Sequence, residues 1–207
     1  MHYIILLNGN KPKYDPNLYK GKKVICADGA YSYAVKHKID IELLIGDFDS
    51  LKQIPENVPV KKFSADKDKT DGELALIEAM QRGAKRVTFI GACGGREDHS
   101  YANIMLLYKA LKSGVKAEII SDNSKIIMFD GDITLKVQKG YYLSLVPFLN
   151  NLHIMNTEGL KYCIADKMLC FGNTLGISNV TISDTVKIKV KSGCGIAFLT
   201  NERAAVK

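Results

Sequence analysis

The sequence predicts an α/β chain in two parts: an N-terminal open, mostly parallel sheet flanked by helices, and a C-terminal antiparallel β-sandwich domain. Two observations carry this. Through about residue 122 short β-rich runs alternate with segments whose apolar residues recur at helical spacing, and after SDNSK (121–125) only short strand-like runs separated by glycine, asparagine and aspartate remain. In order, HYIILL (2–7) and KVICA (23–27) read as strands, and AYSYAVKHK (30–38) as a helix. IELLI (41–45) and VPVKKF (58–63) read as strands before the helical pattern DGELALIEAMQRG (71–83), which stops at a glycine. RVTFIGA (86–92), the long helical pattern DHSYANIMLLYKALKSG (98–114), again ended by glycine, and KAEIIS (116–121) complete the first part. KIIMF (125–129), ITLKV (133–137), YYLSLVPF (141–148), NVTI (179–182), TVKIKVK (185–191) and GIAFLT (195–200) supply the second. The boundary falls near Asn123, giving domains 1–123 and 124–207.

With 207 residues and 46% hydrophobic content the chain can bury a substantial core. Its net charge of +7, from 29 basic and 22 acidic residues, suits an anionic partner. Basic residues come as short pairs such as Lys22 and Lys23, without interleaved aromatics, which argues against a nucleic-acid platform. Five scattered cysteines show neither a CxxC pair nor metal-ligand spacing, so they read as reduced thiols of a cytosolic protein. Tyr3 to Leu7 is too short for a signal-peptide core, and no later run is long and apolar enough to span a membrane, so a soluble cytoplasmic chain is expected.

Ligands of open α/β sheets gather at the carboxyl ends of the strands. Four acidic or glycine-rich stretches fall there: ADGA (27–30), GDFDS (46–50), ADKDKTDGE (65–73) and GACGGREDH (91–99). In extended backbone Asp47 and Asp49 project to one side, where a cation between them would relieve their repulsion; hard carboxylates without nearby thiolates favour Mg²⁺. The competing reading is a turn in which an aspartate bonds its own backbone. Thr70 and Glu73 fit a capping box, and Asp71 either serves the helix dipole or completes a carboxylate cluster with Asp47 and Asp49. Asp66 and Asp68 read as solvated loop charges, whereas Lys67 and Lys69 could reach phosphate. Gly91, Gly94 and Gly95 let backbone amides approach an anion, and the fork of Arg96 suits phosphate oxygens. Asp98 fits an N-cap and His99 a satisfied polar residue. Neither GxxxxGK[ST] nor GxGxxG occurs, so any nucleotide would be held by carboxylates, metal and arginine.

Taken in order, ADGAY, LIGDFDSL, DKDKTDGELAL, GGREDHSYANIMLL and GNTLGISN resemble the thiamine pyrophosphokinase family over nearly the whole chain. That resemblance implies a nucleotide-binding catalytic domain, a thiamine-binding and dimerisation domain, and a homodimer with active sites at the subunit interface. It also implies the reaction of ATP with thiamine to give thiamine diphosphate and AMP, with Mg²⁺ required. Carried over by motif, Asp47, Asp49 and Asp71 hold the metal, while Asp71, Arg96 and Asp98 act in catalysis. Asp28, Gly29, Thr70, Arg96, Asp98 and His99 bind the nucleotide, and Ser178 and Asn179 bind thiamine. Gly72, just inside a helix, departs from expectation, since glycine is a poor helix former. Two other classes fit the same residues: a non-catalytic nucleotide or thiamine-diphosphate sensor, and a Mg²⁺-dependent phosphohydrolase.

Overall fold

The computed structural model describes residues 1–49, 55–64 and 68–201. The chain divides into two compact units, Met1–Asp122 and Asn123–Lys207.

The first unit contains six strands, β1 (His2–Leu6), β2 (Lys23–Ala27), β3 (Leu43–Gly46), β4 (Val60–Lys62), β5 (Arg86–Ile90) and β6 (Lys116–Ile120). All pair in parallel, in the order β6-β5-β1-β2-β3-β4. Central strands of such a sheet are covered on both faces and read as unbroken apolar runs. Accordingly Tyr3, Ile4, Ile5 and Leu6 are all buried. The edge strand β4 has three exposed residues, two of them lysines, which discourages further pairing. Helices α1 (Tyr31–Lys36), α2 (Asp71–Gln81) and α3 (Glu97–Lys112) follow the expected places. The first is shorter than its sequence pattern. A 3-10 turn, Asp28–Ala30, precedes it, and Lys38 with φ +52° ends it.

An ionic network ties α2 to the sheet. Glu78 accepts from Lys61 of β4 and from Arg82, Arg82 reaches Glu42, and Glu42 also accepts from Lys23 of β2 and from the Tyr3 hydroxyl of β1. These bonds orient the helix whose first turn carries Asp71.

The second unit is antiparallel throughout: β7 (Ser124–Phe129), β8 (Ile133–Lys136), β9 (Tyr142–Glu158), β10 (Ala165–Leu169), β11 (Asn179–Val180) and β12 (Thr185–Thr200). The sequence pattern ends one strand at Phe148 and splits Thr185–Thr200 in two, yet β9 and β12 are continuous and pair along most of their length. The turn-like residues between Lys189 and Cys194 form register shifts, so the strands bend without ending. One half of β12 pairs with β8 and the other with β7. Residues from both halves, including Val186, Ile188 and Ala197, share one core with Phe129, Leu143, Leu152 and Ile154. Strand β10 is missing from the sequence reading because four of its five residues are exposed and show no alternation. Among the described residues no helix is long and apolar enough to cross a membrane.

The Lys61 ammonium, hydrogen-bonded to Glu78, holds that carboxyl below its ordinary value of 4.5 against the opposing effect of burial. A carboxyl lowered on folding adds stability that is complete above its unfolded value and lost as pH falls through the folded one. Glu78→Gln is therefore expected to lower the unfolding free energy by about 1–2 kcal/mol at neutral pH. In urea melts the deficit should shrink in acid below the glutamate range; an equal deficit at both pH values would show that charge is not its source.

Candidate active site

Strand order reverses beside β1: the chain proceeds from β1 to β2, β3 and β4 on one side, whereas β5 and β6 lie on the other. At such a switch point the loops leaving neighbouring strands diverge and open a crevice at their carboxyl ends. Here the loops after β1 and β5 first stay paired, Gly9 N–H donating to the Gly91 carbonyl at 2.7 Å and Asn10 N–H to that of Cys93 at 2.8 Å. A cleft of about 690 Å³ opens beside them. Its wall draws on all four stretches singled out in the sequence, through Asp28 and Gly29, Asp47, Asp68 to Gly72, and Gly91, Ala92, Gly94, Gly95, Arg96 and His99, whereas Asp98 is not part of it. Asn8, Gly9 and Asn103 also line it and were missed. Asn103 follows Arg96 and His99 by seven and four positions, a helical spacing that could have revealed it.

Asp28 opens the 3-10 turn after β2 and lies against the end of β3. A Cβ on Gly46 would stand 2.7 Å from the Asp28 Cβ, so glycine at that position is what gives Asp28 its room. The next residues correct an expectation. Asp47 to Asp49 is not extended: Phe48 has φ +66° and is buried in the core with Leu6, Cys26 and Leu44. This anchor turns the loop, and the Asp47 carboxylate accepts from the Asp49 backbone N–H at 3.2 Å. Asp47 lines the cleft, whereas Asp49 is exposed and is not part of its wall.

Thr70 caps α2, its hydroxyl accepting from Glu73 N–H at 3.2 Å. The other half of the expected capping box is not made, because Glu73 pairs with Lys109 of α3 at 2.6 Å. Asp71 and Thr70 both face the cleft, and so do Asp68, read from sequence as a loop charge, and Lys69, read as able to reach phosphate. Asp66 and Lys67 lie outside the described residues. Gly72 has its reason in packing: a Cβ there would come within 2.9 Å of Asn103 Oδ1.

Helix α3 begins at Glu97 with Arg96 as its cap residue, so Asp98 is not the N-cap that its sequence position suggested. Instead its carboxylate takes both arms of Arg96, at 3.1 and 2.6 Å, and accepts from His99 N–H at 2.9 Å. Held by Arg96 first and by that backbone bond second, Asp98 is lowered to about 2, and the Arg96 guanidinium is raised in turn. Both side chains are mostly exposed.

A second cavity, of about 450 Å³, lies within the antiparallel unit and is lined by Tyr162, Ile164, Lys167, Leu175, Ile177, Ser178 and Asn179 among others. Ser178 has φ +60°, and its N–H donates to the Ser144 hydroxyl. The Asn179 amide is engaged internally, clamping Tyr162 through its carbonyl at 2.6 Å and its N–H at 3.1 Å.

Residues 15–119 match the model of the thiamin pyrophosphokinase catalytic domain, and residues 132–194 match that of the thiamin pyrophosphokinase vitamin B1 binding domain. The chain belongs to the thiamine pyrophosphokinase family. Thiamine pyrophosphokinase of Bacillus subtilis (strain 168) is 35% identical over 145 residues, 66% of this chain and 68% of that protein. Thiamine pyrophosphokinase 1 of Oryza sativa subsp. japonica is 22% identical over 218 residues, 89% and 82% of the two chains. The crystal structure of thiamine pyrophosphokinase from Bacillus subtilis aligns with a TM-score of 0.89 at 26% identity, covering 98% of this chain and 100% of that one. Its counterpart from Geobacillus thermodenitrificans aligns at 0.84 and 25%, covering 97% and 98%. As a thiamine pyrophosphokinase the chain is a transferase. Most of the cleft falls within the catalytic-domain match, and the second cavity falls within the vitamin B1 match.

In this thiamine pyrophosphokinase Gly46→Ala is expected to cost about 1–3 kcal/mol by crowding Asp28. Adding Asp28→Gly should recover most of that loss, because it removes the atom the new methyl meets. Denaturant midpoints of both single variants and the double variant measure the coupling; additive losses would mean that Gly46 does not shape the Asp28 position.

Proposed function

We propose that the cleft of the first unit binds ATP and that the enzyme transfers its terminal pyrophosphoryl group to the hydroxyl of thiamine, yielding thiamine diphosphate and AMP. The observation that supports this reading most is the gathering of Asp28, Asp47, Asp71 and Arg96 around a switch-point cleft in a chain of this family. In the reaction the thiamine oxygen bonds to the β-phosphorus, the bond from that phosphorus to the α,β-bridging oxygen breaks, and the hydroxyl proton is lost to solvent or a base. Such transfers depend mainly on alignment and charge neutralisation. Arg96 and the α3 N-terminus meet the charge growing on the leaving AMP, and Lys69 meets the phosphate tail.

The donors lining the cleft suit Mg²⁺, being hard carboxylate oxygens with no thiolate among them. Among the described residues no three of His, Cys, Asp and Glu form a ready-made cage. Mg²⁺ does not require one, since it takes one or two carboxylates and completes its shell with water and phosphate oxygens. Asp47 and Asp71, with Asp28, are the residues that would hold it; Asp49 joins them only if the loop turns about Phe48. When bound, the ion offsets phosphate charge.

Thiamine is assigned to the second unit, with Ser178 offering its hydroxyl to the ligand and Asn179 holding the pocket wall. Tyr162, Leu175 and Ile177 on that wall are exposed apolar side chains. This supports a homodimer in which each active site uses both chains, because a patch of this kind is ordinarily covered. A cytoplasmic setting fits the use of ATP and the free cysteines.

Chromatographic assay of AMP tests the reading. AMP should form only when thiamine and Mg²⁺ are both present, and EDTA should stop it until Mg²⁺ is restored in excess. AMP without thiamine would indicate a phosphohydrolase, and ATP binding without AMP a sensor. Asp71→Asn is expected to lower kcat by about a hundredfold or more with an unchanged melting temperature. Near-normal turnover in that variant would remove Asp71 from the metal set.

A further inference from the structure

Asn103 is 8% exposed, lies on the same face of α3 as Arg96 and His99, and forms part of the cleft wall. Its Nδ2 donates to the Ala92 carbonyl at 2.8 Å. A carbonyl oxygen can only accept, so this bond fixes which end of the carboxamide is nitrogen. Oδ1 is thereby left on the side of Gly72, 2.9 Å from the point a Cβ on that glycine would occupy. Among the described residues no donor reaches Oδ1. That oxygen is an acceptor the protein itself does not use, and both Asn103 and the glycine that keeps its surroundings open belong to the cleft wall.

We propose that Asn103 Oδ1 accepts a hydrogen bond from a neutral donor of the bound nucleoside, a ribose hydroxyl or the amino group of the base, and so takes part in nucleotide selection. This rests on the reading of the cleft as the ATP site. Phosphate oxygens are excluded as the partner, because an ionised phosphate offers acceptors alone and an amide oxygen repels them. The hydroxyl of thiamine is the other neutral donor that must reach the cleft, and the nucleotide series below tells it apart from the nucleoside, since a bond to thiamine would make the loss equal for every nucleotide. Gly72 then has a functional consequence as well as a packing one: a side chain there would crowd the oxygen that reads the nucleoside.

The test compares the unsubstituted enzyme with Asn103→Leu, which keeps the branched shape and removes both the acceptor and the donor to Ala92. Values of kcat/KM are measured with ATP, 2′-deoxy-ATP, 3′-deoxy-ATP and purine riboside triphosphate, which lacks the amino group, at saturating thiamine and Mg²⁺. With ATP the substitution should cost about tenfold to a hundredfold. For the analogue that lacks the donor the unsubstituted enzyme should already be impaired, and Asn103→Leu should bring no further loss; which analogue behaves so separates the hydroxyls from the amino group. An equal loss with all four nucleotides overturns the proposal and leaves Asn103 as a strut for Ala92. If Asn103→Leu does not fold, calorimetry of the four nucleotides on the unsubstituted enzyme decides, one weakened analogue supporting the proposal and equal affinities overturning it. Absence of ATP binding to the unsubstituted enzyme would sink the ATP reading itself, and the Asn103 proposal with it.

Discussion

The pairing of β1 with both β2 and β5 is the constraint from which the rest of the cleft follows. Because β1 sits where the strand order reverses, the loop after it and the loop after β5 leave the sheet side by side and then part. Bonds from Gly9 to Gly91 and from Asn10 to Cys93 carry the two loops together for a short distance beyond the strands. Into the opening this creates, β2 and β3 deliver Asp28 and Asp47, while the helices that follow β4 and β5 point their first turns. Residues of the cleft wall that are remote in sequence therefore meet without any one loop having to be long.

Several of these groups also have a local structural duty. Asp47 closes its own turn, Thr70 caps α2, Asp98 braces Arg96, and Asn103 holds Ala92. A side chain used in this way loses little further freedom when a ligand arrives, which lowers the entropic cost of binding. The same economy explains why local readings of the sequence, as turns and caps, and functional readings of the same residues do not exclude each other.

Much of the first unit was legible in the sequence because its signals are local. Buried parallel strands read as apolar runs, helices as spaced apolar residues, and the acidic stretches fall at strand ends. What stayed hidden depends on contacts distant in sequence. The turn at Phe48 is set by burial of its ring in the core, and Glu73 abandons the capping box because α3 brings Lys109 to it. Asn103 reads as an ordinary helix residue until Ala92 and Gly72 are beside it. In the second unit β9 and β12 exceed their patterns because glycine and asparagine, which usually mark turns, here serve bends within paired strands. Strand β10 carries no apolar alternation at all, since its partner rather than its composition makes it a strand.

The Arg96–Asp98 pair shows how exposure matters to such a site. With its carboxyl lowered to about 2, Asp98 stays ionised across the working range, so Arg96 has a bidentate partner before any ligand arrives. In a buried site, exchanging that carboxylate for a phosphate would strand a charge at great cost. Here both side chains remain largely in water, where an ion pair contributes little and the released carboxylate is resolvated at once. Arg96 is thus pre-oriented by Asp98 yet readily transferred to an anion. This arrangement agrees with the role proposed for Arg96, whose partner would change as charge develops on a leaving phosphate.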